Sequence, residues 1–140
     1  MPSAIDISAS GLIAQRIRLN TIANNLANVN TTRDAQGNPT PYVRKQVIFQ
    51  VGMPEDESPL GVHVAAIEED DPSRMGTEPF RLKYLPGHPD ANAQGYVQLP
   101  NIDPAREYVD ALEAGRAYEA NIQAIEIYKN MANRISQLLE

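Results

Sequence analysis

Proline placement constrains this chain more than any other feature. Of its eleven prolines, Pro2 stands near the start and all the others fall between Pro39 and Pro104. Proline removes a backbone donor and breaks helix interiors. Long helices are therefore confined to two arms, Ser3–Asn38 and Ala105–Glu140, and the segment between them must be built from strands and turns. At 140 residues the chain suits one compact domain, or one small domain with extensions. The expectation is an α+β fold. Terminal segments 1–31 and 104–140 make a helical domain of long helices, and 32–103 make a small β-rich middle lobe.

The first arm predicts a helix from about Ser3 or Asp6 to about Asn28. Ile5, Leu12, Leu19 and Leu26 recur every seven residues, with Ile22 and Val29 beside them. At 100° per residue they form one apolar stripe. Ala9, Ala23 and Ala27 widen it, while Ile13 and Ile17 share a separate row with Asn20 and Asn24. The pattern then runs into "NNLANVNTT", where Asn24, Asn25, Asn28 and Asn30 crowd one helix end. Asparagine is a poor helix former that favours caps and turns.

The last arm opens at "NIDPAREY", with Asp103 as N-cap and Pro104 as first helical residue. Ala111, Tyr118, Ile125, Ala132 and Leu139 again recur every seven residues, joined by Ala114, Ile122, Tyr128 and Ile135. Ala111 and Gly115 lie together on this stripe and predict a close helix approach. A second apolar row follows Ala120, Ala124, Ile127, Met131 and Leu138. About 240° of the helix is apolar or small on the same projection, more than one partner helix covers.

The middle reads as short strands separated by Pro/Gly turns. "YVRKQVIFQV" puts Val43, Val47, Phe49 and Val51 on one face, interrupted by Lys45. "VHVAAIE", "FRLKY" and "GYVQL" are three more candidates, and "FRLKY" alternates Phe80, Leu82 and Tyr84 against Arg81 and Lys83. A small antiparallel sheet follows, too small to bury both arms.

Motifs for chemistry are absent. Net charge is −6, with no basic stripe for phosphates, which disfavours nucleic acid as a partner. Without cysteine there are no disulfides, thiolate sites or Cys nucleophile. His63 sits in a strand pattern and His88 in a turn, without metal-ligand spacing. "EEDD", Glu68 to Asp71, lacks the spacing of an EF-hand and reads as a solvated acidic loop. "NTT" at Asn30 is a common chance match to a glycosylation acceptor. No Walker loop, GxGxxG or GxSxG elbow is present. The expectation is no enzyme, no cofactor, no metal and no small-molecule substrate. The start has no basic region followed by an apolar core, and no apolar run of about 18 residues occurs, so a membrane-inserted protein is not expected.

The arms then carry the function. One reading is a helical hairpin closed within a monomer, with the asparagines as a local cap. The other is an assembly subunit, whose stripes pair while the extra rows meet other subunits. A third, from a different class, is a soluble binding module whose β-rich lobe recognises a partner.

"NNLANVNT" (Asn24–Thr31) resembles the N-terminal motif of the bacterial flagellar rod and hook protein family, and "RAYEAN" (Arg116–Asn121) resembles the matching motif of its C-terminal helix. "YVRKQVIFQV" and "LPGHPDANAQGYVQLPNID" are similar to segments of the proximal-rod C-type members, as is the short length. The likeness is weak between about Gly52 and Arg81.

The resemblance implies an axial structural subunit whose terminal helices pair as a coiled coil, self-assembling through them into a helical tube. It implies unfolded export through the flagellar type III apparatus without a cleaved signal, a periplasmic rod location, and partners that are other rod proteins, the export gate and rod-base adaptors. The implied pairing and assembly residues are Ile5, Leu12, Leu19, Ile22, Leu26, Asn24, Asn25, Asn28, Ala111, Gly115, Tyr118, Asn121, Ile122, Ile125, Tyr128, Ala132, Ile135 and Leu139. Ile13, Ile17, Ala120, Ala124, Ile127, Met131 and Leu138 make the secondary rows. The asparagines would then tie the helix end to adjacent backbone or to neighbouring subunits.

Overall fold

A computed structural model describes residues 3–54, 58–70 and 78–138. Its elements are α1 (Ala4–Ala27), β1 (Lys45–Met53), β2 (Ser58–Glu69), β3 (Phe80–Tyr84), β4 (Tyr96–Pro100) and α2 (Pro104–Leu138). The class is α+β, and the two helices occupy the two arms that proline leaves free. Ser3 and Asp6 form a reciprocal cap on α1: the Asp6 amide donates to Ser3 Oγ at 3.3 Å, and the Ser3 amide donates to Asp6 Oδ2 at 2.8 Å. These backbone and hydroxyl donors hold the Asp6 carboxyl below the usual range. Asp103 caps α2 by accepting from the Ala105 amide at 3.0 Å.

The chain divides into two compact units. The first comprises Met1–Asn20, Val47–Ala66 and Ala111–Glu140. Within it the helices approach closely at Gly11, where a Cβ would lie 2.8 Å from Asn121 Oδ1. Asn121 is itself held by donating Nδ2 to the Ala117 carbonyl at 2.8 Å. Arg18 meets Glu113 at 3.1 Å further along α1. The partner number falls as the α1 number rises, so the two helices run antiparallel. Small residues line the contact, with Ala14 and Ala114 both buried. At Gly115, where a close approach is expected with Ala111, a Cβ would meet nothing within 4 Å. The small residue that the contact requires is on the other helix.

Ser10 joins α1 to the strands of this unit. Its Oγ donates to the Ile7 carbonyl at 2.7 Å and accepts from the Val62 amide at 3.1 Å. Gly61 beside it has φ +89°, and a Cβ there would lie 2.9 Å from Ser10 Oγ. β1 and β2 pair as a separate two-stranded ribbon rather than as part of one middle sheet. The expected apolar face is only partly covered: Val43 and Val47 are half-buried, whereas Phe49 and Val51 are exposed.

The second unit comprises Thr21–Gln46 and Ile67–Asp110. Its core is Ile22, Val97, Leu99 and Ile102. β3 and β4 are antiparallel, from Phe80 opposite Pro100 to Tyr84 opposite Tyr96. Opposed residues share a face, so Arg81 and Lys83 lie on the side of buried Leu99 and Val97. The apolar row of β3 therefore points outward, leaving Leu82 66% and Tyr84 60% exposed. Burial of β4 sets the register, and the alternation along β3 follows it. The run Glu68–Asp71 is also not a free loop: Glu68 and Glu69 end β2, and Asp70 pairs with Arg44 at 3.3 Å. Asp71 is outside the described residues.

Asp90 anchors the loop after α1. It accepts from Thr32 Oγ1 at 2.8 Å and pairs with Arg33 Nη2 at 2.7 Å.

Two outcomes follow from these contacts. Gly11→Leu should destabilise the chain by about 1–3 kcal/mol in urea denaturation, from overpacking. Gly115→Ala should stabilise it by about 0.5–1 kcal/mol, from helix propensity alone. Equal effects would remove the close contact from Gly11. The second outcome concerns acid. The Arg33 hydrogen bond, then that of Thr32, holds the Asp90 carboxyl below its usual range. A carboxyl depressed on folding adds stability above its unfolded value, about 4, and loses it as pH falls through the folded value. Thermal melts should fall below about pH 4, and Asp90→Asn should flatten part of that fall. An unchanged slope would show that this carboxylate contributes nothing.

Candidate assembly surface

The α1 stripe is largely turned inward. Ile22 is buried, and Ile5, Leu12, Leu19 and Leu26 are half-buried. On α2 the stripe changes along its length. Ala111, Gly115, Tyr118, Asn121 and Ile125 are half-buried, whereas Ile122, Tyr128, Ala132 and Ile135 are exposed. Leu139 lies outside the described residues. Of the secondary rows, Ile17 is half-buried, and Ile13, Ala120, Ala124, Ile127, Met131 and Leu138 are exposed.

Register explains the change. Seven residues separate Gly11 from Arg18 on α1, and eight separate their partners Asn121 and Glu113. One more such step back from Gly11 reaches Ala4, the first residue of α1, which comes level with about Lys129. About the last nine residues of α2 pass the start of α1. Met131 and Ile135 there are each 56% exposed and Leu138 85%. Exposed apolar side chains on one stripe mark a surface for a partner.

At the other end of α1 the asparagines split their work. Asn25, 1% exposed, fills its whole hydrogen-bonding capacity. Its Nδ2 donates to the Lys45 carbonyl at 2.8 Å and to Glu107 Oε2 at 3.1 Å. Its Oδ1 accepts from the Lys45 amide at 3.0 Å and from the Tyr42 hydroxyl at 3.1 Å. Asn28 is instead a local cap, donating to the Asn24 carbonyl at 2.9 Å and accepting from Thr31 Oγ1 at 3.0 Å. Asn24 and Asn30 are exposed.

Asn25 leads to a buried ion pair. Glu107, 0% exposed, accepts from Arg44 Nε at 2.7 Å, and Arg44 also reaches Asp70 at 3.3 Å and Asp110 at 3.6 Å. Burial pulls the Arg44 guanidinium down, but the hydrogen bond and charge of Glu107, with Asp70, outweigh it and hold it above its ordinary value. Burial first, then the charges of Glu69 and Glu107, pushes the Tyr42 phenol up, so it stays a donor to Asn25. Sequence patterning missed Tyr42, Arg44 and Glu107. The usable signal was an acid four residues into α2 and an arginine beside β1, but neither is periodic.

The histidines are engaged in backbone contacts, His63 Nδ1 with the Gly52 carbonyl at 2.8 Å and His88 Nδ1 with the Asp90 amide at 3.1 Å. Among the described residues no group of three or more His, Asp or Glu is gathered in metal-binding geometry. No described helix is long and apolar enough to cross a membrane.

Residues 5–33 match the family model described as flagella basal body rod protein. Residues 93–138 match the one described as flagellar basal body rod FlgEFG protein C-terminal. The fold and both matches define the class, a bacterial flagellar basal-body rod protein. The chain is 42% identical to the flagellar basal-body rod protein FlgC of Bacillus subtilis, over 91% of each chain. It is 39% identical to that of Borreliella burgdorferi, over 99% of this chain and 97% of the relative. It is 41% identical to that of Salmonella typhimurium, over 90% and 88%. The chain belongs to the flagellar basal-body rod protein FlgC family. That makes it a structural protein of the rod, not an enzyme, and the relatives give no support to a binding module.

The buried pair generates a stability test. Arg44→Ala leaves the Glu107 carboxylate unpaired and should cost about 3–5 kcal/mol in urea denaturation. Arg44→Met with Glu107→Leu should recover most of that loss, because no buried charge remains. A single-variant cost below about 1 kcal/mol, the scale of a surface pair, would show that the network is solvated.

Proposed function

We propose that this chain is a proximal-rod subunit that self-assembles through its terminal helices into the helical axial tube of the basal body. In this reading 1–31 and 104–140 make the axial part, with the helices as a coiled coil, and 32–103 make the outward lobe. The chain travels unfolded through the type III export apparatus, without a cleaved signal peptide, and takes its place in the periplasm. Its neighbours are copies of itself, other rod proteins, the export gate and rod-base adaptors. The observation that carries the reading is the apolar end of α2, from Met131 to Leu138, exposed past the start of α1. Family membership supplies the context in which such a surface is covered.

Leu19→Asp tests it. Leu19 is half-buried in the middle of the α1 stripe, where burying a leucine contributes about 1.5–3 kcal/mol. A carboxylate there adds the cost of an unpaired charge at a packed surface. Cells carrying only this variant should be non-motile, with no rod in purified basal bodies, while the chain is still exported. Normal motility would remove the packed seam from the account, and retention in the cytoplasm would remove the claim that export needs no folded arm.

A further inference from the structure

The first unit holds a cleft of about 450 Å³ beside α1. Ile13 of α1, Met53 of β1 and Val62 and Val64 of β2 make its apolar walls, and Asp6 is the anionic side chain in its lining. Ile13 is 53% exposed there, so the cleft has an apolar wall without a cover among the described residues. The end of α2 is another exposed apolar surface of this unit. Ile127, Met131, Ile135 and Leu138, spaced by four, four and three, form one stripe. Arg134 stands three residues after Met131 and four before Leu138, so it borders that stripe. From Ile127 to Leu138 the charged residues are Lys129 and Arg134, both cationic.

The stripe and the cleft thus complement each other, apolar against apolar and cation against anion. They cannot meet within one chain: α2 is continuous to Leu138, and its end lies past the first turn of α1. We propose that the end of α2 from one copy docks in the α1–β1–β2 cleft of a second copy of this chain, with Arg134 facing Asp6. This rests on the reading of the chain as a self-assembling subunit and names the two surfaces that do it. Cleft and stripe are different surfaces, so the contact is head-to-tail. It propagates from copy to copy as a ring or a helix instead of closing as a two-fold dimer.

The chain has no cysteine, which makes paired single-cysteine variants a clean test. Ile13→Cys and Ile135→Cys alter exposed side chains. Co-expressed as the sole source of the subunit and oxidised in cells, they should give a disulfide-linked species at twice the monomer mass. Val64→Cys with Leu138→Cys reads the same contact independently. Leu82→Cys, exposed on the second unit, paired with Ile135→Cys should give no such band. Motile cells without a cross-link from either test pair overturn this docking and leave the rod function standing. A cross-link equally strong in the Leu82 control overturns it too. Where the variants do not build rods, the same pairs are oxidised as purified full-length chains at high concentration, and absence of the mixed dimer overturns the proposal. Cells that stay motile when the gene is deleted overturn the rod function itself.

Discussion

Asn25 is the residue on which the second unit depends. One buried amide spends two donors and two acceptor positions on the Lys45 backbone, Tyr42 and Glu107. Those partners belong to the strand after the loop, the loop itself and the first turns of α2. Each bond is worth only about 0.5–1.5 kcal/mol net, but an unmade one would leave a buried polar group unsatisfied at a larger cost. The amide therefore specifies geometry more strongly than it stabilises it. Glu107 can be buried only because Asn25 and Arg44 both face it, and Arg44 can be half-buried only because Glu107, Asp70 and Asp110 surround it. Removing Arg44 leaves the buried Glu107 carboxylate without its counter-ion in low dielectric.

Among its described residues the first unit is held differently. Its helices meet through small residues, Gly11, Ala14 and Ala114, and through a surface pair between Arg18 and Glu113. Small side chains bring backbones together but bury little apolar area each, so the larger side chains of the α2 stripe remain outside the contact. The length difference does the rest. A 24-residue helix cannot cover a 35-residue one, and the excess is all at the end of α2.

What the sequence made legible follows from which features are local. Proline exclusion and the seven-residue repeat fix both helices to within a residue or two, because those signals depend on neighbours along the chain. The Asp103–Pro104 start of α2 is local in the same sense. The four strands were also recognisable, but their separation into two ribbons and the facing of β3 were not. Alternation states that Phe80, Leu82 and Tyr84 share a face; burial of Val97 and Leu99 on β4 decides which way that face points. The asparagine cluster announced a helix end, yet only pairing across 82 residues distinguishes Asn25 as the buried one. Likewise the small residues of both arms were visible, but a stripe does not say which glycine faces the partner helix. Gly115 has open space and Gly11 has Asn121.

The two units thus leave the helices in unequal conditions. Where α1 ends, every polar atom of Asn25 is paired and the apolar core of Ile22, Val97, Leu99 and Ile102 is closed. Where α1 begins, a capped helix start lies in a unit with an open cleft and an uncovered stripe. A surface that must wait for a neighbour is tolerable only if the rest of the chain holds its shape meanwhile. Exposed apolar area favours any association, whereas a fully satisfied polar network has few alternative arrangements. The division is consistent with a subunit whose own fold is specified by polar complementarity, leaving its apolar excess for contacts between copies.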